Sequence, residues 1–139
     1  MTLERAIAIA AEAHAGQKDR GGAPYILHPI RLMIQMDSED AMMAAVLHDV
    51  VENSVWTLDD LRKEGFSNEV LNAVDCLTHR DEEGEGYWDY IQRVGSDSIA
   101  VKIKLSDLVD NLNPARLNEV SEKDEKRFDR YRKAQKMLL

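Results

Sequence analysis

The chain has 139 residues, 44% of them apolar and 32% charged, a balance that excludes disordered, collagen-like and membrane-spanning classes and fits one globular domain over 1–139. With 18 Lys and Arg against 26 Asp and Glu, and a formal net charge of −8, no broad basic face can form, so nucleic acid and anionic membranes are not expected partners. One cysteine, Cys76, leaves no internal disulfide framework and no Cys-rich zinc site, and a start lacking a basic segment and apolar stretch predicts a cytoplasmic address.

Helical spacing runs through the sequence. Leu3, Ile7, Ala10 and His14 recur at i, i+4, i+7 and i+11 behind Thr2 as N-cap, and Gly16 ends that helix. Gln17 to Pro29, punctuated by Gly21, Gly22, Pro24 and Pro29, reads as a loop, with a short helix from about Pro29 to Gln35. Ser38 caps a predicted helix from Glu39 to Glu52 that is apolar nearly all round and therefore buried. Thr57 with Asp60 forms a capping box before a short helix that Gly65 stops, and Ser67 opens another with Val70, Leu71, Val74 and Leu77 inward. Charged Thr78 to Gly86 reads as a surface loop with His79 exposed, and Tyr87 to Val94 returns to helix.

Residues 100–105 alternate like a strand, yet Leu105, Leu108, Val109 and Leu112 continue at helical spacing, and a lone strand would leave its backbone groups unpaired. Helix is therefore the expectation up to Pro114, and Ser121 with Asp124 opens a last helix carrying Phe128, Tyr131 and Leu138 inward. The fold class that follows is all-α, a compact bundle of about seven or eight helices.

His48 and Asp49 are anomalous within the most apolar helix, because burying both costs several kcal/mol unless they are hydrogen-bonded, ion-paired or metal-bound. Glu52 shares their face one turn on. Asp107, Asp110 and Asn111 form a second polar face, ordinarily a solvated one, and His28 ends the turn that starts at Pro24. A structural His-Asp pair is the bland reading of 48 and 49. If the groups meet, two imidazoles and two carboxylates without a thiolate suit a divalent ion such as Mn²⁺ better than structural zinc. His14 has a core or loop-bonding reading, and Trp56, Trp88, Tyr87 and Tyr90 read as core or helix-contact aromatics.

Four motifs in order carry a resemblance: Ala13-His14-Ala15-Gly16-Gln17, Gly22-Ala23-Pro24-Tyr25-Ile26-Leu27-His28-Pro29, Leu47-His48-Asp49-Val50-Val51-Glu52-Asn53 and Val101-Lys102-Ile103-Lys104-Leu105-Ser106-Asp107. Together, over about residues 8 to 113, the chain resembles the HD-domain phosphohydrolases, and within them the (p)ppGpp hydrolase domain of the Rel/Spo family and its small single-domain relatives. The resemblance implies an all-α fold of the HD-domain type, with His28, His48, Asp49 and Asp107 as metal ligands, Mn²⁺ as the usual ion, and removal of the alarmone's 3′-pyrophosphate by activated water. It also implies Glu52 and Asn53 at the positions of the acidic pair that handles that water. Lys18, Arg20, Lys104 and Asn111 are the expected phosphate or nucleotide contacts, and the substrate is a small nucleotide.

The chain departs from that family at named places. Asn53 replaces the second acid, and an amide orients water but takes no proton. Asp19 stands where the family's guanine-stacking arginine aligns, and Leu108-Val109-Asp110-Asn111 stands for Arg-Leu-His-Asn. Two further readings follow from these departures: an HD phosphohydrolase for another nucleotide or phosphoester, and a nucleotide- or metal-binding module that has lost catalysis.

Overall fold

The structure, a computed structural model, describes residues 1–117 and 119–139. Nine α-helices form among the described residues: α1 (Leu3–Ala13), α2 (Leu27–Ile34), α3 (Glu39–Leu47), α4 (Val50–Asn53), α5 (Leu58–Glu64), α6 (Asn68–Leu77), α7 (Tyr87–Val94), α8 (Ser98–Asn111) and α9 (Glu122–Leu138). Side-chain oxygens of Thr2, Ser38, Thr57, Ser67, Asp97 and Ser121 accept first-turn backbone N–H groups. Both expected capping boxes form, Thr57 with Asp60 and Ser121 with Asp124. Of these caps only Asp97 had not been singled out by the sequence pattern.

Helix α3 occupies the centre and packs against α1, α2, α6 and α8. Being surrounded explains its lack of an exposed stripe: Ala41 and every residue from Met43 to Leu47 are buried. Helix α9 lies across α7 and α8 and covers the other flank. No described helix is long and apolar enough to cross a membrane.

Two differences from the sequence pattern shape the site. The expected continuous helix over 39–52 breaks at His48-Asp49. In an unbroken helix the Ala45 carbonyl would accept from the Asp49 N–H; here it accepts from the His48 N–H at 3.3 Å and the His48 Nδ1 at 2.7 Å. The ring thereby tightens the last turn, and α4 restarts with Asp49 as its cap. In α8 the polar row also turns inward: Asp107 is buried beside fully buried Leu108, while Val109, at helical spacing with the apolar residues, is 58% exposed. The helix turns its polar row inward because His28 and Arg31 on α2, and Arg116 after α8, partner it there.

Candidate metal and phosphate site

The first turn of α2, the break after α3 and the middle of α8 bring His28, His48, Asp49 and Asp107 together. The two histidine rings stand edge to face with centroids 5.4 Å apart. His28 Nε2 lies 2.8 Å from Asp107 Oδ1, and His48 Nε2 lies 3.1 Å from Asp49 Oδ2 and 3.8 Å from Asp107 Oδ1. Ligand atoms of His28, His48 and Asp49 all fall within 4.8 Å of one another. Both histidines are only 2% exposed.

Hydrogen bonding fixes which nitrogen faces the centre. A carbonyl only accepts, so the bond to Ala45 requires a proton on His48 Nδ1. In neutral His48 the Nε2 lone pair then points at carboxylates, and no directed hydrogen bond satisfies it although Asp49 is close. Lone pair against carboxylate is repulsive unless a cation intervenes, either a proton or a metal ion. Two imidazole nitrogens with two carboxylates and no thiolate form a donor set that fits a divalent cation.

The titration behaviour reflects the same crowding. For His28, burial works against protonation, but hydrogen bonds to Asp107 and Asp110 outweigh it and raise the pKa to about 9. His48 is also raised, the charge and contact of Asp49 overcoming burial. Burial pushes Asp107 up, yet Lys104 and the two histidines hold it well below the usual carboxylate range. Glu52 goes the other way, raised first by burial and then by the charge of Asp49.

A cavity of about 610 Å³ opens onto the cluster, and its wall includes His28, Asp49, Glu52, Asn53, Arg20, Lys104, Asp107 and Asn111. Glu52 Oε1 accepts from the His79 N–H at 2.7 Å. Asn53 is anchored through its backbone, its carbonyl accepting from Gln17 Nε2 at 2.9 Å, and it is part of the cavity wall. Lys104 donates to Asp107 Oδ2 at 2.8 Å and sits 5.2 Å over the Tyr90 ring. Asn111 donates to Asp107 Oδ1 at 3.0 Å and accepts from Arg116 at 2.8 Å. Lys18 stands apart from the cluster, on a neighbouring cavity of about 220 Å³ that also takes in Arg20, Asn111 and Arg116.

Tyr25 carried no individual signal in the sequence beyond its place in a motif. Tyr25 donates its hydroxyl to Asp49 Oδ2, and its ring packs 5.0 Å from that of His14. His14 is buried, as its bland reading expected, with Nδ1 bonded to Gln17 Oε1 at 2.8 Å. His79, expected on the surface, is instead half-buried and stacked on Tyr90 at 4.7 Å. Its Nε2 bonds the Glu85 carbonyl at 2.9 Å, while its backbone N–H holds Glu52, so His79 ties the acidic loop to the site. Asp19, the departure at the guanine position, uses Oδ1 to accept from the Gly21 and Ala23 N–H groups at 2.9 Å each, so it closes its own loop.

The helical bundle thus brings His28, His48 and Asp49 to one buried point, with Asp107 against both rings and an open cavity alongside, the donor set of a candidate metal site. The model of the HD domain matches residues 6–139, and the chain belongs to that family. Among curated proteins it is 33% identical over 121 residues to the guanosine-3′,5′-bis(diphosphate) 3′-pyrophosphohydrolase of Aquifex aeolicus, covering 79% of this chain and 17% of that protein. It is 32% identical over 136 residues to a GTP pyrophosphokinase of Streptomyces coelicolor, covering 90% of this chain and 16% of that one. The chain thus spans about one-sixth of the length of these relatives. A solved structure of a metazoan ortholog of SpoT, described as hydrolysing ppGpp and playing a role in starvation responses, has the same fold, with a TM-score of 0.79 over 98% of this chain and 84% of that one at 23% identity.

Proposed function

We propose that this chain is a metal-dependent phosphohydrolase that removes the 3′-pyrophosphate of (p)ppGpp or a related nucleotide. The observation that carries the reading is the pair of inward Nε2 atoms, His28 and His48, facing Asp49 and Asp107, with His28 and both carboxylates in the wall of the 610 Å³ cavity. The name of the Aquifex relative supplies the substrate class. His28, His48, Asp49 and Asp107 would hold the ion, with Mn²⁺ the preferred choice. When bound, a divalent ion supplies Lewis acidity, lowering the pKa of water and offsetting phosphoryl charge, which an acidic protein otherwise repels.

The remaining work falls to side chains. Glu52 is the proton acceptor for the attacking water: burial and the Asp49 charge raise its pKa toward the range useful to a general base. The His79 N–H fixes one of its oxygens, leaving the other without a hydrogen bond among the described residues. Asn53 orients the water by its amide. Lys104 and Asn111, both lining the cavity, neutralise and position the phosphates, with Arg20 at the rim and Lys18 in the adjoining cavity. A second reading keeps the same site for a different nucleotide phosphoester, favoured by the use of Asp19 for loop closure in place of base recognition. We place the protein in the cytoplasm.

The test is pyrophosphate release from ppGpp by Mn²⁺-loaded protein, beside the double substitution His48→Ala and Asp49→Ala. Turnover that vanishes in the variant supports the reading. No turnover on ppGpp, with hydrolysis of another nucleotide phosphoester, moves the chain to the second reading, and none on any substrate despite bound metal leaves a binding module.

A further inference from the structure

His48 and His28 are oriented by different means, and the difference points to a residue outside the ligand set. For His48 the Nδ1 proton goes to a main-chain carbonyl, which no side-chain substitution removes. For His28 it goes to a side chain: Nδ1 lies 2.5 Å from Asp110 Oδ2. Asp110 is the only acceptor at that nitrogen among the described residues, since the other neighbour, Arg116 Nη1 at 3.5 Å, is itself a donor.

The carboxylate is held from several directions. Arg31 Nε donates to Oδ1 at 2.9 Å and Arg31 Nη2 to Oδ2 at 3.0 Å, one prong per oxygen. Arg116 Nη1 approaches Oδ2 at 3.0 Å and also donates to the Asp110 carbonyl at 3.3 Å. A carboxylate so occupied is not available as a fifth ligand. Helix spacing makes the arrangement reciprocal: α2 supplies His28 and, three residues on, Arg31, while α8 supplies Asp107 and, three residues on, Asp110. One pair of helices therefore carries both a ligand contact and the contact that orients it. Asp110 also falls where the resembled family has histidine, so the device belongs to this chain's own sequence.

We propose that Asp110 is the positioning residue of the metal centre: it holds the Nδ1–H of His28 so that Nε2 faces the ion, with Arg31 and Arg116 keeping its carboxylate in register. The inference rests on the metal reading above. Carboxylate partners of ligating histidines fix the tautomer and ring orientation, and their loss commonly weakens metal binding about 10- to 100-fold.

Mn²⁺ affinity of Asp110→Ala and Asp110→Asn, measured by titration calorimetry, is the first readout. Alanine should weaken binding about 10- to 100-fold, and asparagine, which keeps one acceptor oxygen, should weaken it less. The second readout is ¹H–¹⁵N spectroscopy of the histidine rings in Zn²⁺-loaded protein. The wild type should show Nδ1–H protons for both His28 and His48, and Asp110→Ala should lose protection of the His28 proton while that of His48 persists. Should the alanine variant not fold, the wild-type and asparagine spectra carry the test: His28 bound through Nδ1 in the wild type overturns the proposal. Equal Mn²⁺ affinity in all three proteins overturns it while leaving the metal reading intact. A wild type that takes up no ion removes the metal reading, and the proposal with it.

Discussion

Metal binding at this site should release protons, and the number and pH range follow from the geometry. Both histidines present Nε2 to the centre, and without metal both have raised pKa values, His28 to about 9. An ion takes the lone pair that the His28 proton occupies, so loading near pH 7 should expel about one proton from His28, with His48 adding to it, and affinity should rise with pH. The stability of metal-free protein must then move the opposite way. A folded pKa above the unfolded value contributes stabilisation that is complete below the unfolded pKa of 6.5 and lost as pH climbs through about 9. For His28 that interval is worth about 3 kcal/mol. Calorimetric Mn²⁺ titrations in phosphate and in Tris, whose ionisation enthalpies differ, count the protons, and urea denaturation of chelator-treated protein at pH 6 and pH 9 follows stability. Binding that releases no protons, or metal-free protein that becomes more stable between those pH values, would refute the arrangement of inward Nε2 atoms.

Other consequences are open to direct test. Asn53→Asp restores a second carboxylate beside Glu52 and should raise initial rates about 10-fold or more if proton uptake limits turnover; an unchanged rate shows that Glu52 suffices. Leu47→Ala, fully buried in α3 next to His48, should cost about 2–5 kcal/mol in urea denaturation. Gly21→Ala places a Cβ 1.8 Å from the Arg116 carbonyl oxygen, so the loop must part from that segment. KM should rise, because Gly21 and Arg116 line the adjoining cavity, and the Mn²⁺ dissociation constant should rise with it, because Arg116 also braces Asp110; steady-state kinetics and Mn²⁺ titration read the two, and an unchanged KM refutes a role for this loop in substrate binding.

What the sequence made legible was local. Capping boxes, the glycine stop at Gly65 and the apolar character of α3 are each written within a few residues, and each appears in the fold. The break at His48-Asp49 was not legible, because it arises when a side chain takes a backbone acceptor that periodicity assigns to the main chain. Nor was the inward polar face of α8. A row such as Asp107, Asp110 and Asn111 ordinarily faces water, and only the cations opposite it, His28, Arg31 and Arg116, reverse the preference. Those cations lie 79 residues or more before Asp107 and Asp110, or follow in a segment after the helix, so no spacing rule links them.

The same separation explains why the candidate ligands could be picked from the sequence while the orientation of their rings could not. His28, His48, Asp49 and Asp107 stand out by residue type and motif, which the chemistry of the ion restricts. Which ring nitrogen faces inward depends on what sits behind each ring, and at that depth the answers differ: a carbonyl three residues back for His48, a carboxylate 82 residues on for His28. The first is built into the helix end. The second requires α2 and α8 to dock correctly, so the His28 side of the centre should be the part whose integrity reports on the packing of the bundle.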